Sequence, residues 1–130
     1  MSQVNSSQAS QASRKGRRVF VVGVGMTRFR KPLKKFTKND PDYPEYVSTA
    51  VARALDDCDL SFADIEAASV GSVFSTGMGQ RALYEMGMDG IPIFNVANAC
   101  ATGSNALFMM RNFVAGGMNE CVLAVGVDIM

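Results

Sequence analysis

Short apolar runs, each closed by glycine or a polar turn, alternate along this chain with segments whose apolar residues recur at helical spacing. That alternation restricts the fold to an α/β sheet covered by helices. The first run, Val19-Phe20-Val21-Val22, is continuous in β-branched and aromatic residues and ends at Gly23-Val24-Gly25. It suits a strand buried on both faces. A polar loop follows, from about Met26 to Asp42. Pro44 then falls in the first turn of a helix, where its missing N–H costs nothing. Val47, Ala50, Val51, Ala54, Leu55 and Cys58 share one face of that helix at 3.6-residue period, which makes Cys58 a small core residue.

Ser61 opens a short helical turn with Asp64 three residues on, as in a capping box. A second strand is expected near Ala68 to Phe74, then a loop from Ser75 to Gly79 and a short helix from Gln80 to Met86, ended by Gly87. Asp89-Gly90 reads as a turn. Ile91 to Val96 makes a third strand, with Pro92 at its edge or entry. From Ala101 to Ala115 apolar residues surround the predicted helix on almost every side, which places it in the middle of a structure. Gly116-Gly117 stops it, and Cys121 to Val125 gives a fourth strand. The order βαβαβαβ favours a largely parallel sheet with a buried central helix.

A chain of 130 residues, 48% of them hydrophobic, supports one compact core. Residues 1 to 17 are rich in Ser and Gln, too poor in large apolar groups to offset the entropy of ordering, and are expected to be a disordered tail. The net charge of +1 hides an asymmetry, since every charged residue from Arg14 to Lys38 is basic. No aromatic residue interleaves with the cluster at Arg14 to Arg18, and no nucleic-acid module is present. Arg28, Arg30, Lys31, Lys34 and Lys35 are taken as a solvated loop. No apolar run reaches the ~20 residues that would cross a bilayer. Gly23-Val24-Gly25 lacks the third glycine of a dinucleotide fingerprint, because Arg28 stands there. It is read as a turn. Cys58, Cys100 and Cys121 match neither a metal-ligand pattern nor a disulfide framework, which points to a reducing or intracellular compartment. Histidine is absent, so any imidazole base must come from another chain or from sequence outside these 130 residues.

The stretch Asn95-Val96-Ala97-Asn98-Ala99-Cys100-Ala101-Thr102-Gly103-Ser104 joins the third strand to the apolar helix. A cysteine at a helix start faces unpaired backbone N–H groups and the positive end of the macrodipole, which favour thiolate. Ala99, Ala101 and Gly103 leave room for an acyl group, and the amides could hold an oxyanion. Spacing alone leaves Cys100 open between a nucleophile and a buried structural cysteine. Cys121, inside an apolar run, reads as core.

The stretch from Gly79 to Met130, with NxCxTGSxAL at its centre, resembles the thiolase family, in particular its sterol-carrier-type branch; VFVVGVGMTRF resembles that group's opening strand and loop. The resemblance covers roughly residues 18–130, implying the first half of a thiolase-like N-terminal domain. It implies that Cys100 is the nucleophile that takes an acyl group from a 3-oxoacyl-CoA, with free CoA as co-substrate and no bound cofactor or metal. It further implies fatty-acid and branched-chain lipid oxidation, linkage in longer members to lipid transport, and a peroxisomal location, with the mitochondrion as alternative. Homodimerisation through Ile91 to Val96 and Ala101 to Ala115 is implied as well. The family's catalytic histidines and second cysteine match nothing here, so the isolated chain is expected to be inactive. The alternatives are a non-catalytic form that pairs with a full-length thiolase, and a condensing enzyme like a ketoacyl synthase.

Overall fold

The computed structural model describes residues 16–31, 37, 40–74 and 77–129. The expected tail over 1–17 therefore lies mostly outside the described residues. Its last residue is anchored: Arg17 donates its amide to Ala115 O at 3.0 Å and pairs through its guanidinium with Glu120.

Helix α1 spans Tyr43–Asp57. Asp42 caps it by accepting from the Tyr43 amide at 2.8 Å, and the same carboxylate pairs with Arg81 at 2.7 Å. Pro44, Val47, Val51 and Leu55 are its buried residues, a stripe at helical spacing. Cys58 is the C-cap, half-buried, its Sγ donating to Ala54 O at 3.2 Å. The turn Phe62–Asp64 follows. Asp64 Oδ2 accepts from the amide and the hydroxyl of Ser61, both at 2.8 Å, and these bonds hold its carboxyl below the usual aspartate range.

Three strands, β1 (Ala67–Gly71), β2 (Ile93–Val96) and β3 (Val122–Gly126), make a parallel sheet in the order β2-β1-β3. Helix α2 (Met78–Tyr84) connects β1 to β2, and α3 (Thr102–Ala115) connects β2 to β3. Helices cross between parallel strands because a tight turn cannot return the chain to the starting end. The register places Ser69 beside Phe94 and Ala124, and Gly71 beside Val96 and Gly126. Alternation then sorts the sheet. Ala68, Val70 and Val125 join Val47, Val51, Leu55, Ala82 and Leu83 in one core cluster on the α1–α2 side. The other face carries smaller residues and receives α3, where the Phe94 and Phe113 rings meet edge to face at 5.2 Å.

The α/β class and the parallel sheet agree with the sequence reading, with two corrections. The first run, residues 19–22, forms no strand. Phe20, Val21 and Val22 are exposed, at 62–71%. β1 and β3 pair directly over five residues, and the run joins neither outer edge of the sheet. The segment runs instead against α1, where a Cβ on Gly23 would lie 2.1 Å from Ala54 O and one on Gly25 2.0 Å from Ala50 O. Helix side chains take the bonds a ladder would have made: the Val24 amide donates to Asp57 Oδ2 at 3.0 Å, and Arg53 Nη1 donates to Met26 O at 2.5 Å.

The second correction concerns α3, expected to be buried all round. Only Thr102, Ala106 and Met110 are fully buried, while Leu107 and Phe108 are exposed at 55% and 62%. A three-stranded sheet presents one face to the helix, and among the described residues nothing covers the opposite side. Smaller shifts have local causes. β1 ends at Gly71 because Asp128 Oδ1 draws the next residues aside, accepting from Ser72 Oγ at 2.9 Å and the Val73 amide at 2.8 Å. α2 starts at Met78 because the Gly79 amide is met by Asn95 Oδ1 at 2.8 Å.

Two small substitutions on β1 are expected to act in opposite directions. A Cβ at position 71 would sit 2.5 Å from Thr102 Cγ2 and 2.9 Å from Thr102 O, so Gly71→Ala lowers unfolding stability by about 1–3 kcal/mol. Ser69 is fully buried with an Oγ that finds no partner among the described residues, so Ser69→Ala raises stability by about 1 kcal/mol. Urea denaturation of the two variants beside the parent checks both signs.

Candidate active site

The carboxyl ends of β1, β2 and β3 all point the same way, and in open parallel sheets this end is where ligands meet loops and helix starts. Cys100 lies there, in the connection from β2 to α3, and is exposed. It stands one residue ahead of the N-cap, Ala101, and so precedes the first helical turn instead of lying within it.

The turn that holds it is closed at both ends by hydrogen bonds. Ala101 N donates to Asn98 O at 3.0 Å and Thr102 N to Ala99 O at 3.1 Å. The Thr102 hydroxyl accepts from the Asn98 amide and donates to Ala99 O, both at 2.7 Å. Ala99 adopts φ of 44°, the left-handed region that costs a residue with a Cβ about 1–2 kcal/mol. Five residues thus make a tight, strained corner between strand and helix, with Cys100 exposed on it. Strain of this kind persists only where the surroundings over-determine it.

Those surroundings are small residues. Gly126 lies against Gly103, where a Cβ on Gly126 would be 3.3 Å from the Gly103 Cα. Gly71 lies against Thr102. With these side chains missing, the first turn of α3 drops close onto the strand ends, and Thr102 becomes 2% exposed although it opens a helix. Ala101 offers no capping side chain. Of the amides at this end of α3, those of Ala101 and Thr102 already donate to Asn98 O and Ala99 O.

The other cysteines have different settings. Burial pushes the Cys121 thiol up, helped by the nearby Cys58 thiol and the Asp64 and Glu66 carboxylates. Cys58 is held by carbonyls of its own helix. Neither is brought to Cys100 as a second active-site thiol. A cavity of about 260 Å³ opens beside the end of β3, walled in part by Arg28, Arg30 and Lys31, with Asp128 opposite. The basic residues read as a solvated loop therefore border a cavity in part, while Lys34 and Lys35 lie outside the described residues. Cys100 does not line this cavity. Among the described residues no cluster of potential metal ligands occurs, and no helix is long and apolar enough to cross a membrane.

Sequence reading singled out Cys100 and took Ala99 as one of the small residues that leave room beside it, but gave Thr102 and Asn98 no role of their own. The only signal for them was a threonine two residues after a cysteine, which many helix starts share.

Comparison with known proteins matches residues 19–130 to the family described as thiolase, N-terminal domain. The chain is 52% identical to human sterol carrier protein 2 over 116 residues, 88% of this chain and 21% of that protein. It is 49% identical to non-specific lipid-transfer protein-like 2 of Caenorhabditis elegans over 114 residues, 87% of this chain and 27% of that protein. It is 30% identical to benzoylsuccinyl-CoA thiolase subunit BbsB of Thauera aromatica over 116 residues, 86% of this chain and 28% of that protein. The chain thus spans roughly a fifth to a quarter of the length of these relatives.

Exposure and burial order the three thiols. Iodoacetamide at neutral pH is expected to label Cys100 first and Cys121 last, read by peptide mass spectrometry; equal labelling of all three would refute an activated Cys100. Ala99→Gly removes the penalty at positive φ and is expected to raise the thermal unfolding midpoint, by about 1 kcal/mol in stability.

Proposed function

The chain belongs to the thiolase family, and on that premise we propose that it is the segment bearing the acyl-accepting cysteine of a 3-oxoacyl-CoA thiolase. The observation that carries this reading is the placement of Cys100. Cys100 is exposed at the carboxyl end of a parallel sheet, on a strained corner, beside the end of α3 that lacks a side-chain cap. A thiolate there attacks the ketone carbon of a 3-oxoacyl-CoA. The bond between that carbon and the α-carbon breaks, the CoA thioester that keeps the α-carbon leaves once its carbanion takes a proton, and the shortened acyl group stays on sulfur. The sulfur of free CoA then attacks the acyl carbon, regenerates the cysteine and carries the acyl group away.

Two requirements of that cycle are not met by these residues. A base must remove the thiol proton and an acid must protonate the leaving carbanion, and the 130 residues contain no histidine. The second half run backwards, uptake of an acyl group from a CoA thioester with release of CoA, needs no carbanion to be protonated and suits what the corner supplies. The names of the relatives, a thiolase subunit among them, support acyl-CoA and CoA as substrates; sterol carrier and lipid-transfer relatives support a role in lipid metabolism.

A second reading, a pairing module, is favoured by one specific observation. β2 is an edge strand, and α3 beside it exposes Leu107 and Phe108. An open edge next to exposed apolar side chains is a template for association, with a second copy or with a full-length thiolase. The two readings are compatible, because a thiolase segment that pairs through this edge keeps Cys100 exposed on the corner.

Incubation of the chain with acetyl-CoA is expected to add one acetyl group on Cys100, seen as a mass shift on its peptide, and Cys100→Ala abolishes it. Acetylation spread evenly over the three cysteines would overturn the assignment. Steady-state thiolysis by this chain alone is expected to be undetectable. For the pairing reading, sedimentation velocity is expected to show a concentration-dependent dimer that Phe108→Asp shifts to monomer.

A further inference from the structure

We infer that Thr102 is the positioning residue for the Cys100 sulfur, an inference that rests on Cys100 being the acyl-accepting group. Thr102 is the first residue of α3, and a hydroxyl at a helix start ordinarily points to solvent or caps the amides ahead of it. Here it turns back. Its one oxygen accepts from the Asn98 amide and donates to the Ala99 carbonyl, both at 2.7 Å, so it bridges the two residues that lead into Cys100. The side chain is 2% exposed, and its methyl group packs where a Cβ on Gly71 would otherwise stand, 2.5 Å from Cγ2. A β-branched residue held on that side has little freedom at χ1, so the hydroxyl is presented in one direction.

The consequence for the sulfur follows from the backbone. Ala99, at φ of 44°, immediately precedes Cys100, and its carbonyl is gripped twice, by the Thr102 amide at 3.1 Å and by the Thr102 hydroxyl. Release of the hydroxyl lets Ala99 relax toward negative φ, and that rotation swings the Cys100 Cα–Cβ bond away from its present direction. The Thr102 oxygen is spent on the turn, Ala101 carries no capping side chain, and the Ala101 and Thr102 amides are held by Asn98 O and Ala99 O, so the turn is fixed by its own bonds. Thr102 thus orients Cys100 without touching an acyl group.

The test is a variant series in the 130-residue chain, read by the rate at which each cysteine is alkylated by iodoacetamide and, separately, acetylated by acetyl-CoA. Thr102→Val keeps the shape and the methyl contact with Gly71 but removes the hydroxyl. It is expected to slow acetylation of Cys100 about tenfold, the scale on which misplacement of a reacting group by part of an ångström acts, and to slow its alkylation severalfold. Alkylation of Cys58 stays unchanged. Thr102→Ser restores both rates to within about twofold of the parent. Leu83→Ala, which loosens the core on the opposite face of the sheet, lowers the unfolding midpoint but leaves Cys100 alkylation as in the parent. The inference is overturned if Thr102→Val alkylates Cys100 at the parent rate, if Ser fails to rescue, or if Leu83→Ala slows Cys100 equally. A parent chain that takes up no acetyl group on Cys100 defeats the acyl-transfer reading instead, and the alkylation series still decides whether Thr102 governs the sulfur.

Discussion

The close approach of the first turn of α3 to the strand ends is the constraint on which the rest of the site depends. Helices ordinarily rest on a sheet at a distance set by the side chains between them. Here Gly71 and Gly126 on the sheet and Gly103 on the helix remove those side chains at one end. At the other end the spacing is filled by Phe94 against Phe113. The helix is therefore brought down at its amino end, which buries Thr102 and forces the connection from β2 to rise through a corner too tight for ordinary dihedrals. Ala99 absorbs that geometry at positive φ, and the hydroxyl of Thr102 holds it. A site that needs one sulfur at a fixed height above a sheet is well served by such an arrangement, because closely packed interiors do not deform gradually.

The same economy of layers explains where apolar surface remains exposed. With three strands, the α1–α2 face is well covered and holds the core cluster, while the α3 face is covered by a single helix. Leu107 and Phe108 are left outward, next to the open edge of β2, and Phe20, Val21 and Val22 lie exposed along the segment that crosses α1. Apolar side chains concentrated beside an unpaired strand edge mark a surface suited to association. Pairing through that surface and acyl chemistry at the strand ends use different parts of the molecule, so the fold accommodates both.

Much of the fold was legible in the residues. The α1 stripe at Val47, Val51 and Leu55 emerged from period alone, and so did the ends imposed by Pro44 and by Gly116-Gly117. The three strands that form were expected within a few residues of where they lie, and Cys100 was expected at a helix start. The failures share a cause. Residues 19–22 carry strong strand preference, but preference does not supply a partner, and the segment that follows them lies against α1 at Gly23 and Gly25 instead of along a sheet edge. The apolar α3 implied burial on all sides, but burial depends on what stands opposite, which the helix's own letters do not encode. Thr102 went unread because its importance lies in contacts with Gly71, Asn98 and Ala99, one of them 31 positions away.

Local chemistry and periodicity were sufficient, without coordinates, to define an α/β chain with parallel strands, to exclude an imidazole base among these residues, and to bring attention to one cysteine in NxCxTGS. Both are short-range properties, carried by neighbours within a turn or a strand. Which strands pair, which side of α3 meets water, and how the Cys100 corner is strained and held were decided only in the folded chain. Each of those depends on space shared by segments distant in sequence, and excluded volume between them acts only once they are packed together.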